Sequence, residues 1–292
     1  MTRSRHVQSA VLKWTNDDVD MMDWIIPEDY DLNKVCHAVT YGPGWVLLKR
    51  MFSAKDIEMA NERIMDSKLG EHKKFSNKDD KHNNFNGLTW GLLSRGKIFA
   101  KLATHPIILE VSRKLLGNKC RLSSLAANTV VPGMSGQGPH LDYPYYRHLW
   151  PSVDGCMNLP VSHMLSLQIV TLLTDFTSEN GSTAIVPGSH INPRYPGDRE
   201  EFFKRAIQAD AEAGDVLMFS GPIQHCAMPN KTNLIRSGIL QHMVPVFVTP
   251  FECIDGDGLE DKIPELKMVL GIDFPHPIAK FTEDDKKKLQ HI

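Results

Sequence analysis

Histidine and aspartate two residues apart, in Pro139-His140-Leu141-Asp142, can put an imidazole and a carboxylate at one point. On a strand, residues i and i+2 project to the same face, so His140 and Asp142 could share a metal ion. By itself the pair says little: a chain with 13 histidines yields one at this spacing about once from ordinary residue usage. Its weight depends on a third ligand. His225, in Ser220-Gly221-Pro222-Ile223-Gln224-His225-Cys226, is the candidate. It follows the strand-like Gly214-Asp215-Val216-Leu217-Met218-Phe219, inside a turn-rich segment from which a side chain can project. Two neutral imidazoles and a carboxylate on one face of an ion form the arrangement of non-haem iron(II) centres, which leaves positions open for a co-substrate and O2.

A fourth residue narrows the chemistry. Arg236 lies eleven residues beyond His225, and Pro229-Asn230-Lys231-Thr232-Asn233 between them reads as a hairpin turn. A hairpin centred on Asn230-Lys231 sets His225 opposite Arg236, with Cβ atoms about 5 Å apart. A guanidinium there can hold the far carboxylate of a dicarboxylic acid bidentately while the near end chelates the ion. 2-Oxoglutarate has that shape. Each residue alone has a plainer reading: His225 as a structural histidine, Arg236 as a strand cation, His140-Leu141-Asp142 as a polar strand end. His190, in Pro187-Gly188-Ser189-His190, reads as structural or as pocket wall. His242, an even number of residues from Arg236, reads as core or rim.

Strands with turns between them must carry these residues. From Cys120 onward short apolar runs alternate with Gly- and Pro-containing turns, giving candidate strands at 121–131, 165–173, 183–186, 215–219 and 234–248. Many short strands so punctuated read as a sandwich or jelly roll. The first third is mixed. Gly44 to Arg50 reads as a buried strand, Ser53 caps a helix running to about Met65, and a second helix spans about His105 to Leu116 before Gly117-Asn118. Without a linker, residues 1–292 read as one domain: about 1–118 as support, about 120–250 as the β core and 251–292 as a C-terminal extension.

Charge and cysteine usage narrow the class. With 33 Lys+Arg against 35 Asp+Glu, bulk charge gives no grip on nucleic acid or an anionic membrane. Five scattered cysteines with no CxxC fit a reducing compartment and argue against a thiolate zinc site. The N-terminus lacks the apolar core of a signal peptide, no apolar run nears the roughly 18 residues of a membrane helix, and the last residues are not a peroxisomal address. The cytoplasm is the expected location, and a monomer or homodimer the expected state.

Several segments together resemble the phytanoyl-CoA dioxygenase family of Fe(II)/2-oxoglutarate oxygenases. The likeness runs from Gly44-Trp45-Val46-Leu47-Leu48-Lys49-Arg50-Met51-Phe52 to about Val248. It includes His140-x-Asp142, Phe176-Thr177-Ser178-Glu179-Asn180-Gly181-Ser182-Thr183, Val186-Pro187-Gly188-Ser189-His190, Ala213-Gly214-Asp215-Val216, and His225 with Arg236. The Glu-Asn-Gly-Ser-Thr and Pro-Gly-Ser-His segments look most like the natural-product branch. The resemblance implies a mainly β fold with flanking helices around a double-stranded β-helix (jelly roll, cupin-like) core. It implies His140, Asp142 and His225 as metal ligands and Arg236 as the clamp on the C5 carboxylate. By strand position, Thr183 is a hydroxyl donor to 2-oxoglutarate, and Gln168 and Asn128 are amide donors to its C1 carboxylate. Where some relatives carry Gln between the two ligands this chain has Leu141, which forfeits a co-substrate contact. Asp142 argues against a halogenase, in which that carboxylate is replaced.

The implied reaction takes Fe(II), 2-oxoglutarate and O2, yields succinate and CO2, and oxidises an unactivated C–H bond of a small molecule. Hydroxylation is the expected outcome; desaturation, epoxidation and endoperoxide formation use the same site. Substrate contacts are expected from the aromatic run after the ligands, Tyr143, Tyr145, Tyr146, Arg147 and Trp150, within a connection of lid-like length. Those rings could equally seal the barrel mouth. Asn83 to Asn86 and Trp90 would form the opposite wall. A cupin-like zinc or manganese hydrolase or isomerase could use the same ligands but has no need of Arg236. A non-catalytic barrel would not need the ligand set.

Overall fold

Every residue of the strand Trp45–Leu48 is buried, but alternate side chains go to different cores. Val46 and Leu48 join one apolar cluster, Trp45 and Leu47 another, as the two-residue period of a sheet covered on both sides requires. A computed structural model describes residues 24–26, 30–66, 87–142 and 164–272. Among them the N-terminal elements are β1 (Ile25–Ile26), α1 (Leu32–Thr40), β2 (Trp45–Leu48), α2 (Ala54–Met65), β3 (Leu88–Thr89), α3 (Leu92–Arg95), α4 (Lys97–Ala103) and α5 (Pro106–Leu116). Strands then dominate: β4 (Cys120–Val130), β5 (Leu167–Leu172), β6 (Thr183–Ile185), β7 (Ile207–Gln208), β8 (Val216–Ser220), β9 (His225–Ala227) and β10 (Arg236–Pro245). Helices α6 (Arg199–Arg205) and α7 (Pro264–Val269) interrupt and follow them.

Two sheets result among the described residues. The larger runs β1-β2-β8-β5-β10-β4-β3 and the smaller β7-β6-β9. On the large sheet's outer face Val46, Leu48, Val216, Met218, Ile169, Ile239 and Met243 meet Val35 and Val39 of α1, Ile57 and Ile64 of α2, Phe99 of α4 and Ile108 of α5. On its inner face Trp45, Leu47, Val170, Leu172, Leu217 and Phe219 pack with Ile185 of the small sheet. Truncating one of these large side chains costs about 2–5 kcal/mol.

Helix starts follow local chemistry. The Ser53 hydroxyl accepts the Asp56 N–H at the head of α2, and His105 Nδ1 accepts from Ile107 N at the head of α5, where Pro106 needs no partner. The Ala213-Gly214-Asp215-Val216 segment is a staple. Asp215, fully buried, accepts from Lys49 Nζ, Arg50 N and Glu212 N, which ties the end of β2 to the start of β8. Gly214, at φ +93°, has a partner backbone so close that a Cβ would lie 2.6 Å from Phe52 O.

The expected hairpin between His225 and Arg236 does not form. β9 pairs with β6, and His225 bridges His140, while β10 is flanked by β4 and β5. With those edges taken, β9 and β10 belong to different sheets and the segment between them crosses over. Asn230 fixes that crossing: its Nδ2 donates to Val130 O and Leu234 O, and its Oδ1 accepts from Thr232 N.

Candidate metal centre

His140 and His225 face each other across an antiparallel bridge, each backbone N–H donating to the other's carbonyl at 3.0 Å. Asp142, two residues on, donates its N–H to Gly221 O at 3.1 Å, which holds it on the same side. His140 Nε2 lies 3.6 Å from Asp142 Oδ1 and His225 Nε2 lies 3.5 Å from Asp142 Oδ2. All three donor atoms fall within 4.8 Å of one another. Metal–ligand bonds of about 2.0–2.2 Å place donors about 3–3.5 Å apart, so an ion fits with little adjustment.

The ring orientations suit that use. His140 Nδ1 contacts Gly138 O at 2.9 Å and His225 Nδ1 contacts Ile223 O at 3.0 Å. A carbonyl partner requires a proton on Nδ1, which leaves the Nε2 lone pair for a metal. Burial pulls the His225 pKa down to about 4; Asp142 and Ile223 O oppose the shift and His140 adds to it. Its imidazole is therefore neutral at neutral pH, the form that ligates. Phe219 packs on this ring with centroids 4.7 Å apart.

Arg236 is 2 % exposed, and no carboxylate pairs with it among the described residues. Its Nη2 donates to Thr183 Oγ1 at 3.4 Å, whereas Nε and Nη1 have no partner among the described residues. Desolvation pulls its pKa down to about 9, a sign that the folded chain disfavours this lone cation. In β6, Thr183 and Ile185 share a face, and their cross-strand partners Ala227 and His225 share it with them. Arg236 therefore reaches the His225 face through Thr183, from the opposite sheet rather than across a hairpin.

Gln168 and Asn128 also point inward. Gln168 lies opposite His242 and Phe219, and Asn128 opposite Gly238, two residues along the same face from Arg236. Asn128 lines a small cleft, open to solvent, with Leu88, Val130, Met134, Gln137 and Ala227 between β4 and β9. Leu141, buried, sits between the two ligands. Tyr143, Tyr145, Tyr146, Arg147 and Trp150 lie outside the described residues, as do Asn83 to Asn86. Trp90 packs on Phe251, with ring centroids 5.8 Å apart.

His190 serves structure: its Nε2 contacts Thr40 O at 3.0 Å, and a Cβ on Gly44 would lie 2.3 Å from its Nδ1. His242 faces inward and its Nε2 meets Ser166 Oγ at 2.5 Å. Sequence reasoning missed Ser166 and Gly221: Gly221 N donates to Ser166 O, Gly221 O receives Asp142 N, and a Cβ at Gly221 would lie 2.0 Å from Ser166 Oγ. It also missed Phe176, whose ring centroid lies 3.9 Å from Arg236 Cζ. Standing next to a Thr-Ser-Glu-Asn-Gly turn, Phe176 reads as an ordinary core aromatic.

Known proteins resemble this chain. The family profile described as "Phytanoyl-CoA dioxygenase (PhyH)" matches residues 41–238, and the chain belongs to that family. Dioxygenase trt7 of Aspergillus terreus is 26 % identical over 166 residues, 55 % of this chain and 54 % of its own. The Fe(II)/2-oxoglutarate-dependent dioxygenase nvfF of Aspergillus novofumigatus is 32 % identical over 157 residues, 52 % of this chain and 48 % of its own. Dioxygenase FUM3 of Gibberella moniliformis is 27 % identical over 243 residues, 76 % of each chain. The matched region thus spans about half the length of trt7 and nvfF. The crystal structure of the non-heme alpha ketoglutarate dependent epimerase SnoN from nogalamycin biosynthesis superposes with a TM-score of 0.56. It is 19 % identical, over 74 % of this chain and 81 % of that one, and shares the fold.

Proposed function

We propose that this chain is a non-haem Fe(II)- and 2-oxoglutarate-dependent dioxygenase that hydroxylates an unactivated C–H bond of a small molecule. In this reading residues 1–292 form one oxygenase domain, and the two sheets are the halves of a double-stranded β-helix. His140, Asp142 and His225 hold the iron on one face. The acid's C5 carboxylate takes N–H groups of Arg236 and the Thr183 hydroxyl, and Gln168 and Asn128 supply amides along the same inner faces. Bound there, Fe(II), 2-oxoglutarate and O2 supply the oxidising chemistry, with succinate and CO2 as co-products. The chain's own part is to present neutral imidazoles, aim the carboxylates and keep the interior apolar around them.

One observation carries the reading: a buried guanidinium with two nitrogens unpartnered among the described residues, joined through Thr183 to the strand pair that carries His225. A hydrolase or isomerase on the same ligands would have no use for it. Among the described residues no helix is long and apolar enough to cross a membrane, and Cys36, Cys120, Cys226 and Cys253 are free thiols. In this reading the enzyme acts on a small molecule in the cytoplasm. The test is succinate formation from 2-oxoglutarate, Fe(II) and O2. Wild-type chain should form it even without substrate, and Asp142→Ala should not; equal turnover by both would remove Asp142 from the metal.

A further inference from the structure

An aromatic ring that makes no hydrogen bond to Arg236 lies over its guanidinium. Phe176 is 1 % exposed, and its ring centroid lies 3.9 Å from the guanidinium carbon. It is held by a two-way backbone bridge, Phe176 N to Ala211 O at 2.8 Å and Ala211 N to Phe176 O at 2.9 Å. The space for the ring comes from Gly238, two residues beyond Arg236 on the same face, where a Cβ would lie 3.0 Å from Phe176 Cζ. A buried cation needs some compensating partner. A carboxylate neighbour would supply it but would occupy the N–H groups a ligand has to use. An aromatic face stabilises the cation through its quadrupole and takes no N–H group. Around Arg236 the structure shows that second solution: a ring over Cζ, Thr183 on Nη2, and Nε and Nη1 without partners.

We infer that Phe176, admitted by Gly238, is a positioning residue that holds Arg236 as a free-donor clamp and so sets the preference for a 2-oxo acid carrying a distal carboxylate. The inference rests on the oxygenase reading. Its test compares 2-oxoglutarate with 2-oxopentanoate, which has the same carbon chain and lacks the far carboxylate. The full chain, loaded with Fe(II) under anaerobic conditions, is titrated with each acid, and binding is read from the visible band and from thermal stabilisation.

Phe176→Leu should weaken 2-oxoglutarate about 3- to 30-fold and change 2-oxopentanoate by less than about twofold. Equal weakening of both acids would make Phe176 a packing residue only, and unchanged 2-oxoglutarate affinity would remove it from the clamp; either overturns the inference while leaving the oxygenase reading intact. Wild-type chain that took up neither acid would sink that reading and this inference together. Should Phe176→Leu not fold, Phe176→Met carries the same comparison, because it fills the space without an aromatic face; a ratio that stays at the wild-type value refutes the proposal.

Discussion

Replacing Arg236 by Met separates a guanidinium kept for a ligand from one kept for the fold. Without an anion, the folded chain buries this cation at 2 % exposure with Nε and Nη1 unpartnered. Desolvating a charge costs several kcal/mol even after relaxation. The Phe176 ring returns about 2 kcal/mol of that and the Thr183 contact about 1 kcal/mol. Methionine has similar length, no charge, and a thioether that packs well on an aromatic. Arg236→Met should therefore leave the ligand-free protein equally stable or raise its stability by about 1–3 kcal/mol. At about 2 °C per kcal/mol for a chain of this size, the melting temperature should hold or rise by up to about 6 °C. Adding 2-oxoglutarate at about 100 times its Kd to Fe(II)-loaded wild type contributes about 2.7 kcal/mol, a rise of about 5 °C. Losing a buried charge pair with the ligand removes about 2–5 kcal/mol of binding, or roughly 30- to 4,000-fold in Kd, so the variant should show a shift of at most about 2 °C at that concentration. The assay is thermal melting of both proteins with and without the acid, metal present throughout. A ligand-free variant destabilised by more than about 3 kcal/mol, or one that keeps the 5 °C shift, would refute the reasoning.

Gly221→Ala should weaken Fe(II) binding about 10- to 100-fold, because a Cβ 2.0 Å from Ser166 Oγ displaces the carbonyl that receives Asp142 N; unchanged metal affinity in a folded variant would contradict this. Stability should also fall in acid. Burial pulls His190 and His242 from the ordinary 6.5 to about 4, so above pH 6.5 neither state binds these protons. Below it the unfolded chain binds protons that the folded chain refuses, and each group removes about 1.4 kcal/mol per pH unit until pH approaches 4. Urea titrations across that window should show the decline, and His190→Gln should reduce its slope by about one proton. A flat profile would show that these rings are not held neutral.

Residues whose position follows from strand periodicity were legible in the sequence. Trp45 and Leu47 part from Val46 and Leu48 by the two-residue period, whereas His140 and Asp142 converge off any strand, from an isolated bridge and the bend after it. Ser53 and Pro106 mark helix starts by capping chemistry that acts over three residues. What failed was partner choice. Pro229-Asn230-Lys231-Thr232-Asn233 has the composition of a hairpin turn, yet Asn230 spends its side chain on Val130 and Leu234, and both neighbouring strands already have other partners. Turn composition is local, whereas strand pairing depends on the competing edges of the whole sheet. Phe176 and Gly238 were hidden for a related reason: an aromatic before a turn and a glycine in a strand gain meaning only when the chain between them folds to bring them together. The Tyr143 to Trp150 run, expected to meet the substrate, lies outside the described residues.

The claim that His140, Asp142, His225 and Arg236 form one iron and 2-oxoglutarate site is tested most directly by an anaerobic titration. Fe(II)-loaded wild type should develop the weak visible charge-transfer band of a chelated 2-oxo acid and saturate at one equivalent per chain. Asp142→Ala should give no band, and Arg236→Met should give one only at concentrations of acid orders of magnitude higher. A wild-type chain that binds Fe(II) but shows neither band nor stabilisation with 2-oxoglutarate would contradict the account.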